Sequence, residues 1–449
     1  MNQMKDKPIF PLLMSMAFPP MISMLIQSLY NVVDSIFVAK LGEDALTAVS
    51  LIFPLQNFSL AMSVGLGIGM NALIARHLGA NDEKKASYIA SQGIYMSFFH
   101  SLIFVIIGLF LIQPFLSLFT TKQSVLDYGE QYGMIVITLT FASFIHIAIE
   151  KMFQACGNMV IPMIMQMVGA IVNIILDPIL IFGYFHMPAL GVAGAAIATI
   201  IGQFSACILS IILFTILQTP IHLHLKQRLH FSAFKEIYAI AIPSCLMMCL
   251  PSILVSLLNM ILSLSSQTAV AFFGIYYKLQ TFVYMPSSGV IQGMRPIISF
   301  NYGARDYKRM KETIIITTKT IGTILLGGTL FFIVATKPIL SLFSANDAMM
   351  TMGIPGLRVL ALGFVISTFG TVMSGVFEAI GEGKYSLFIS LLRQFIINVP
   401  LSYILIHYLG VMGVWITFPI SEAIALITSW ILYKTTYHNH ISQLDISLI

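Results

Sequence analysis

The sequence is dominated by apolar runs that are long enough to cross a lipid bilayer. The runs are about 20–28 residues long, and a helix needs about 20 residues to span a hydrocarbon core of about 30 Å. Only 9% of the residues are charged, whereas soluble globular domains carry about 25%. Apolar and polar residues do not alternate along the runs, which therefore predict helices and not barrel strands. We expect an all-α integral membrane protein.

Twelve transmembrane helices are predicted, six in each half of the chain. A polar segment in the middle separates an N-terminal six-helix lobe at residues 1–217 from a C-terminal six-helix lobe at residues 237–449, and residues 218–236 form a linker. No other polar segment is long enough to fold as a separate soluble domain. The predicted spans cover residues 11–38, 46–74, 88–112, 131–153, 160–182, 190–216, 234–262, 268–298, 313–335, 354–377, 386–408 and 412–433.

The basic residues indicate how the spans are oriented. An even number of spans places both termini on the same side, and most loop Lys and Arg residues fall on that side. The positive-inside rule therefore predicts that both termini and the linker are cytoplasmic. The basic residues form no contiguous face, so nucleic acid is not an expected partner. The cytoplasmic set is Lys5, Lys7, Arg76, Lys84, Lys85, Lys151, Lys226, Arg228, Lys235, Arg305, Lys308, Arg309, Lys311, Lys384 and Lys434, and the opposite set is Lys40, Lys122, Lys337 and Arg358.

The two halves of the sequence repeat each other. GLGIGMNALIARHLGANDEKK from Gly65 matches GVIQGMRPIISFNYGARDYKR from Gly289, 224 positions later, and FQACGN from Phe153 matches FEAIGE from Phe377 at the same offset. Each half has an even number of spans, so both halves enter the membrane in the same direction. Two such pseudo-symmetric bundles with a cleft between them are typical of secondary transporters that work by alternating access.

The fifth span holds polar residues that membrane helices rarely carry. Asn173 and Asp177 are four residues apart, so their side chains project from one helix face. Pro178 has no N–H, so the carbonyl of Ile174 loses its usual partner at the same level. An ionisable side chain at the bilayer centre costs about 2.5–3.5 kcal/mol on insertion scales. These grouped oxygens suit Na⁺ or a shared proton, and they predict a cation-coupling site.

Two residues on other spans are expected to complete this site. Asp34 in the first span is the second acid if the first and fifth spans pack together, and Thr199 in the sixth span adds a hydroxyl. Two carboxylates in a low dielectric cannot both stay charged without a cation. The alternative is that Asn173 and Asp177 only cross-link helices. Intramembrane hydrogen bonds contribute about 0.6 kcal/mol on average, which is a weak reason to keep a buried carboxylate.

Three further residues belong to the candidate set. Glu150 and Glu422 form a candidate secondary polar site. The alternative for Glu150 is a solvated or paired role at the cytoplasmic interface, and the alternative for Glu422 is a buried Gln, His or Arg partner. Pro19 is expected to kink the first span and to leave a hinge that bends when Asp34 gains or loses a cation. No catalytic residue is predicted, and no metal site beyond one for Na⁺.

These motifs resemble those of the multidrug and toxic compound extrusion (MATE) family over essentially the whole chain. The resemblance rests on YNVVDSIFVAKLGEDALTAVS, NIILDP and the duplicated glycine-rich segments, and it is strongest to the bacterial branch that contains DinF and MepA. It implies two lobes of six helices and drug efflux driven by inward Na⁺ or H⁺. It also implies that Asp34, Asn173, Asp177 and Thr199 form the cation site of the N-terminal lobe. Glu150 falls where many members have an Asn, and the acids that some members carry in spans seven and ten have no counterpart here.

The sequence therefore predicts a multidrug efflux antiporter that exports lipophilic, often cationic compounds in exchange for H⁺ or Na⁺. We expect a monomer in the bacterial inner (plasma) membrane, with drugs and the lipid bilayer as partners and no cofactor besides the coupling ion. The alternative is a lipid-linked oligosaccharide flippase of the same superfamily, which needs cationic residues in its cleft. An enzyme is not expected, because the chain has no H-E-x-x-H, G-x-S-x-G or G-x(4)-G-K-[ST] motif.

Overall fold

The computed structural model describes residues 2–224, 230–343 and 347–437, and over these residues the chain is helical and contains no β-strand. Short helices at Asn2–Asp6, Ile112–Ser117 and Thr336–Leu342 and a 3₁₀ turn at Tyr184–His186 accompany the long helices. The long helices of the described chain are α1 Ile9–Ala39, α2 Glu43–Gly79, α3 Glu83–Phe110, α4 Gln123–Thr138 with Phe141–Ala155, α5 Val160–Phe182, α6 Val192–Ile216, α7 Phe231–Ser263, α8 Gln267–Gly303, α9 Tyr307–Val334, α10 Asp347–Ala379, α11 Gly383–Leu409 and α12 Val411–Tyr437.

The predicted set of twelve membrane helices is confirmed. Within the described ranges, ten helices are long and apolar enough to cross a membrane, and the two parts of α4, bent by 41°, make an eleventh. The twelfth is α8, which is not among these eleven. It is 37 residues long, but polar residues such as Lys278 and Gln280 lower its mean hydropathy. The chain is therefore a multi-pass membrane protein.

Helix α4 begins earlier than predicted. The predicted span starts at residue 131, whereas the helix begins at Gln123. Asp127 and Glu130 give this first part a polar face that lowers its hydropathy, while Val125 and Gly129 on the other face are buried. A count of apolar residues therefore places the start of this amphipathic segment too late.

The described residues form two compact units. Unit 1 comprises residues 1–4 and 18–245, and unit 2 comprises residues 5–17 and 246–449. The first part of α1 therefore belongs to unit 2, and the first part of α7 belongs to unit 1. The lobe borders predicted from the sequence, 1–217 and 237–449, stay a prediction.

Corresponding glycines of the repeat allow close helix packing inside each unit. A Cβ atom at Gly69 would lie 2.7 Å from the carbonyl oxygen of Ile237, and one at Gly293 would lie 2.7 Å from the carbonyl carbon of Met16. These neighbours are backbone atoms that cannot move aside. Gly69 and Gly293 are 224 positions apart, so the sequence repeat also repeats this packing contact.

The start of the predicted linker lies along α3 in unit 1. The backbone N–H groups of His222 and His224 donate to the hydroxyl oxygens of Ser87 and Ser91, each at 2.9 Å. Because these donors lie two residues apart on the linker and the acceptors one helical turn apart, the linker is held in an extended conformation at this point. Lys226 and Arg228, which contribute to the predicted orientation, lie outside the described residues.

Candidate functional site

Three of the four predicted cation-site residues meet inside unit 1. Asn173 and Asp177 on α5 are 2% and 0% exposed, and Thr199 on α6 is 5% exposed. The side-chain amide of Asn173 donates to Asp177 Oδ1 at 3.3 Å and to Thr199 Oγ1 at 3.4 Å. Asp177 therefore points into the protein and away from the lipid.

The local fold explains why α5 and α6 bring these side chains together. Gly183 adopts a left-handed conformation with φ 78° and ends α5, and a short connection returns the chain into α6. A Cβ at Gly202 would lie 2.7 Å from the carbonyl oxygen of Gly169, so the two helix backbones nearly touch beside Asn173. Helix α5 continues one turn past Pro178, which leaves the Ile174 carbonyl without a backbone donor inside the helix.

Asp34 lies close enough to this cluster for its charge to act on that of Asp177. Asp34, Asp177 and the hydroxyls of Tyr30 and Tyr132 lie within electrostatic range of one another. Three buried oxygens of the cluster accept no hydrogen bond from the described residues: Asp34 Oδ1, Asn173 Oδ1 and Asp177 Oδ2. Buried acceptors of this kind are costly unless a ligand or a proton satisfies them. The donor set fits a hard cation such as Na⁺, or a proton.

A cavity of about 160 Å³ lies beside this cluster, and Asn173 and Thr199 line part of it. It is lined mainly by small, amide and hydroxyl side chains from α1, α2, α4, α5 and α6. Across the described part of the chain, no group of three or more His, Cys, Asp or Glu side chains could hold a metal ion. The lining residues are Ser23, Ile26, Gln27, Tyr30, Leu60, Ser143, His146, Ile147, Gln166, Gly169, Ala170, Asn173, Thr199, Gly202, Gln203 and Ala206.

Glu150 belongs to a buried ion-paired network beside the cavity. Glu150 Oε1 accepts from Lys151 Nζ at 2.8 Å and from Gln154 at 2.7 Å. Glu150 Oε2 accepts from the cavity-lining Gln166 at 3.2 Å, and it lies 3.9 Å from His146 Nε2. The paired alternative for Glu150 thus describes its geometry.

Lys151, one of the basic residues that predict the orientation, is buried. It is only 6% exposed, and its side chain lies against Gly67. A lysine at the edge of an apolar run is expected to extend into water. The signal against that expectation is Gly67 in the repeated glycine segment, which leaves room for a side chain from α4.

Glu422 lies in unit 2 and is paired with an arginine. An arginine is one of the three buried partners that the sequence indicates as the alternative for this residue. Arg393 Nε approaches Glu422 Oε1 to 3.4 Å, and Arg393 Nη1 donates to Thr371 Oγ1 at 3.4 Å. Arg393 sits in a π-helical turn, Leu392–Ile396, that interrupts α11. Nothing in the sequence pattern predicted this turn.

Pro19 lies within a continuous α1 that passes through both Pro19 and Pro20. It is buried, and the border between the two compact units falls between Ala17 and Phe18, immediately before it. Pro243, 224 positions later, lies two residues before the border at Cys245 and Leu246. The predicted hinge therefore stands next to a change of unit.

The fold and the site together define a duplicated twelve-helix membrane protein of the transporter type, whose N-terminal unit buries carboxylate, amide and hydroxyl groups. Comparison with known protein families identifies the family to which the chain belongs. The MatE family model matches residues 19–179 and 243–404, so both halves are covered, and the chain belongs to the MatE family.

Relatives and solved structures agree with this assignment. Multidrug export protein MepA of Staphylococcus haemolyticus (strain JCSC1435) is 28% identical, and the match covers 96% of this chain and 94% of that protein. A crystal structure of MATE in the bent conformation matches with a TM-score of 0.91 and 26% identity, over 99% of this chain and 98% of that one. An outward-facing multidrug resistance MATE transporter of the MOP superfamily matches with a TM-score of 0.88 and 26% identity, over 95% and 96%.

Proposed function

We propose that the protein is a multidrug efflux antiporter that exports lipophilic, often cationic compounds in exchange for Na⁺ or H⁺. The observation that carries the proposal is the group of buried, unsatisfied oxygens of Asp34, Asn173 and Asp177 in unit 1. Family membership and relatives that are named for multidrug export support the substrate class.

In this proposal, Asp34 and Asp177 carry the coupling charge. Asn173 and Thr199 provide neutral oxygens and hold Asp177 in position through the hydrogen bonds of 3.3 and 3.4 Å. An arriving Na⁺ or proton offsets one of the two negative charges of the interacting carboxylates, and it satisfies open acceptor positions of the cluster. A cationic compound in the same unit would be repelled by the bound cation, so the two bind alternately and exchange.

The flippase alternative receives less support. A pyrophosphate-linked substrate needs cationic side chains, and the lining of the unit 1 cavity includes no Lys or Arg among the described residues. Lys151 lies nearby but is already paired with Glu150. The proposal further includes a monomer in the bacterial plasma membrane, with both termini cytoplasmic and no cofactor besides the coupling ion.

Wild-type protein in proteoliposomes should accumulate a fluorescent lipophilic cation when an ion gradient is imposed. A tenfold gradient supplies about 1.4 kcal/mol per ion, so exchange of one ion per dye supports up to about tenfold accumulation. A Na⁺ gradient and a pH gradient are applied separately, and dye fluorescence is followed over time. Accumulation with only one gradient identifies the coupling ion, and accumulation with neither contradicts the antiport proposal.

The hinge at Pro19 is part of this proposal. Pro19→Ala restores one backbone N–H inside α1 beside Pro20 and should make this part of the helix harder to bend, because proline is the usual cause of a helix kink. Dye export should fall several-fold while the amount of protein in the membrane stays unchanged. Unaltered export at matched protein levels would show that bending at Pro19 is not needed.

A further inference from the structure

Unit 2 contains a counterpart of the unit 1 cluster that lacks the carboxylate. Asn398 Oδ1 accepts from Ser402 Oγ at 3.2 Å and from Thr417 Oγ1 at 3.1 Å, and all three residues are buried. The arrangement is the same as that of Asn173, Asp177 and Thr199. An asparagine is followed four residues later by a second polar residue, and a threonine on the next helix lies beside them. Ser402 stands where the first half has Asp177, so this cluster carries no charge to hold a cation.

The π-helical turn accounts for the register of this counterpart. Most repeat positions are 224 apart, but Asn173 and Asn398 are 225 apart, as are Asp177 and Ser402. A π turn accommodates one extra residue in a helix and is frequent at functional sites. The extra residue lies in the turn that contains Arg393. It explains why Asn398 and Ser402 follow their counterparts by 225 positions and not by 224.

The Arg393–Glu422 pair occupies the positions in unit 2 that correspond to the cavity lining of unit 1. Gly169, which has no side chain, corresponds to Arg393, and the amide of Gln203 corresponds to the carboxylate of Glu422. The first four corresponding pairs are 224 positions apart and the last is 219 apart. They are Leu60 and Tyr284, Ser143 and Ser367, Ile147 and Thr371, Gly169 and Arg393, and Gln203 and Glu422.

The pair leaves hydrogen-bonding capacity unused on both side chains. Arg393 Nε and Glu422 Oε2 are buried and have no hydrogen-bond partner among the described residues, and the 3.4 Å approach is longer than a charge-assisted hydrogen bond. The two side chains keep 22% and 12% of their surface exposed. A guanidinium normally holds a carboxylate through two parallel hydrogen bonds, and this pair does not.

The surroundings of the pair suit an aromatic amphiphile. Glu422 and Arg393 lie within electrostatic range of the Tyr276 and Tyr284 hydroxyls. Both tyrosine rings contact Phe364, with centroid distances of 6.4 and 5.6 Å. An apolar aromatic wall beside a charged group is the usual make-up of a site for a small molecule that has a flat ring and one ionised substituent.

We propose that Arg393 binds the carboxylate of anionic or zwitterionic amphiphilic substrates in unit 2, and that Glu422 occupies the guanidinium until such a carboxylate replaces it. Arginine is an apt residue here because it stays charged in an apolar setting. The inference rests on the proposed efflux function and assigns the recognition of a substrate carboxylate to one residue of unit 2.

The test uses two dyes that differ only in the carboxylate: rhodamine B, a zwitterion, and its ethyl ester, a cation. Equilibrium binding to the purified full-length protein is measured by fluorescence polarisation. Arg393→Gln should weaken rhodamine B binding about tenfold or more, the effect of one charge-assisted contact, and should leave ester binding within about twofold. Arg393→Lys should retain part of the rhodamine B affinity, because it keeps the charge but not the planar fork.

Glu422→Gln should change rhodamine B affinity in the opposite direction. This second test remains valid even if Arg393→Gln fails to fold. It removes the internal competitor, so rhodamine B should bind more tightly while ester binding stays unchanged. Lys278→Gln, which removes an exposed cation from α8, is the matched control and should alter neither dye. Equal shifts for both dyes, or no rhodamine B binding by the wild type, would overturn the proposal. Failure of the efflux function would appear separately, as absence of ester accumulation under either ion gradient.

Discussion

Asp177→Asn is expected to abolish accumulation of a lipophilic cation in proteoliposomes under both Na⁺ and pH gradients. Asparagine has almost the same shape as aspartate, and it can still pair with the Asn173 amide through its own carbonyl oxygen. It carries no charge and binds no proton at neutral pH, so Asp34 alone remains to bind the coupling ion and the paired carboxylate site is lost. The accumulation ratio should fall from as much as about tenfold to about one.

The control removes an equivalent carboxylate from the surface of the same unit. Asp44 lies at the exposed start of α2, where hydrogen bonds from Lys122 and then Ser124 lower the pKa of its carboxyl. It is therefore ionised at neutral pH, and Asp44→Asn removes one charge without altering the buried cluster. This variant should accumulate dye like the wild type. If Asp177→Asn also does so, the cation is not coupled through this site.

The parts of the structure that could be predicted are those set by local geometry. Asn173 and Asp177 are four residues apart, and a helix places such residues on one face whatever surrounds it. Thr199 joins them because the α5–α6 connection is short and the two backbones meet at Gly169 and Gly202. The repeat could be seen in the sequence because each half preserves the same close-packing glycines.

The parts that could not be predicted depend on packing between helices distant in sequence. Lys151 is buried because Gly67 on another helix leaves space for its stem and Glu150 neutralises its charge. The π turn that holds Arg393 changes the register of α11 by one residue, and residue propensity gives no sign of it. A hydropathy average detects neither the buried lysine nor the π turn, because it scores each residue without reference to its neighbours in space.

Lys151→Met is expected to destabilise the protein by about 3–5 kcal/mol, the usual cost of removing one partner of a buried ion pair. Methionine fills the space against Gly67, so the loss reflects charge and not a cavity. Glu150 would keep its bonds to Gln154 and Gln166, but its charge would be uncompensated at 5% side-chain exposure. The measurement is thermal unfolding of the purified protein in detergent.

Two further variants separate the charge effect from general fragility. Lys122→Met breaks an ion pair with Asp44 whose side chains are 63% and 31% exposed, and it should leave the melting temperature close to that of the wild type because water screens the pair. Combining Lys151→Met with Glu150→Gln removes both buried charges and should restore most of the lost stability, because neutral replacements of buried pairs are often tolerated. If the double variant is as unstable as Lys151→Met alone, Lys151 acts through packing. If it is stable but inactive, Glu150 and Lys151 have a part in transport that their stability role does not explain.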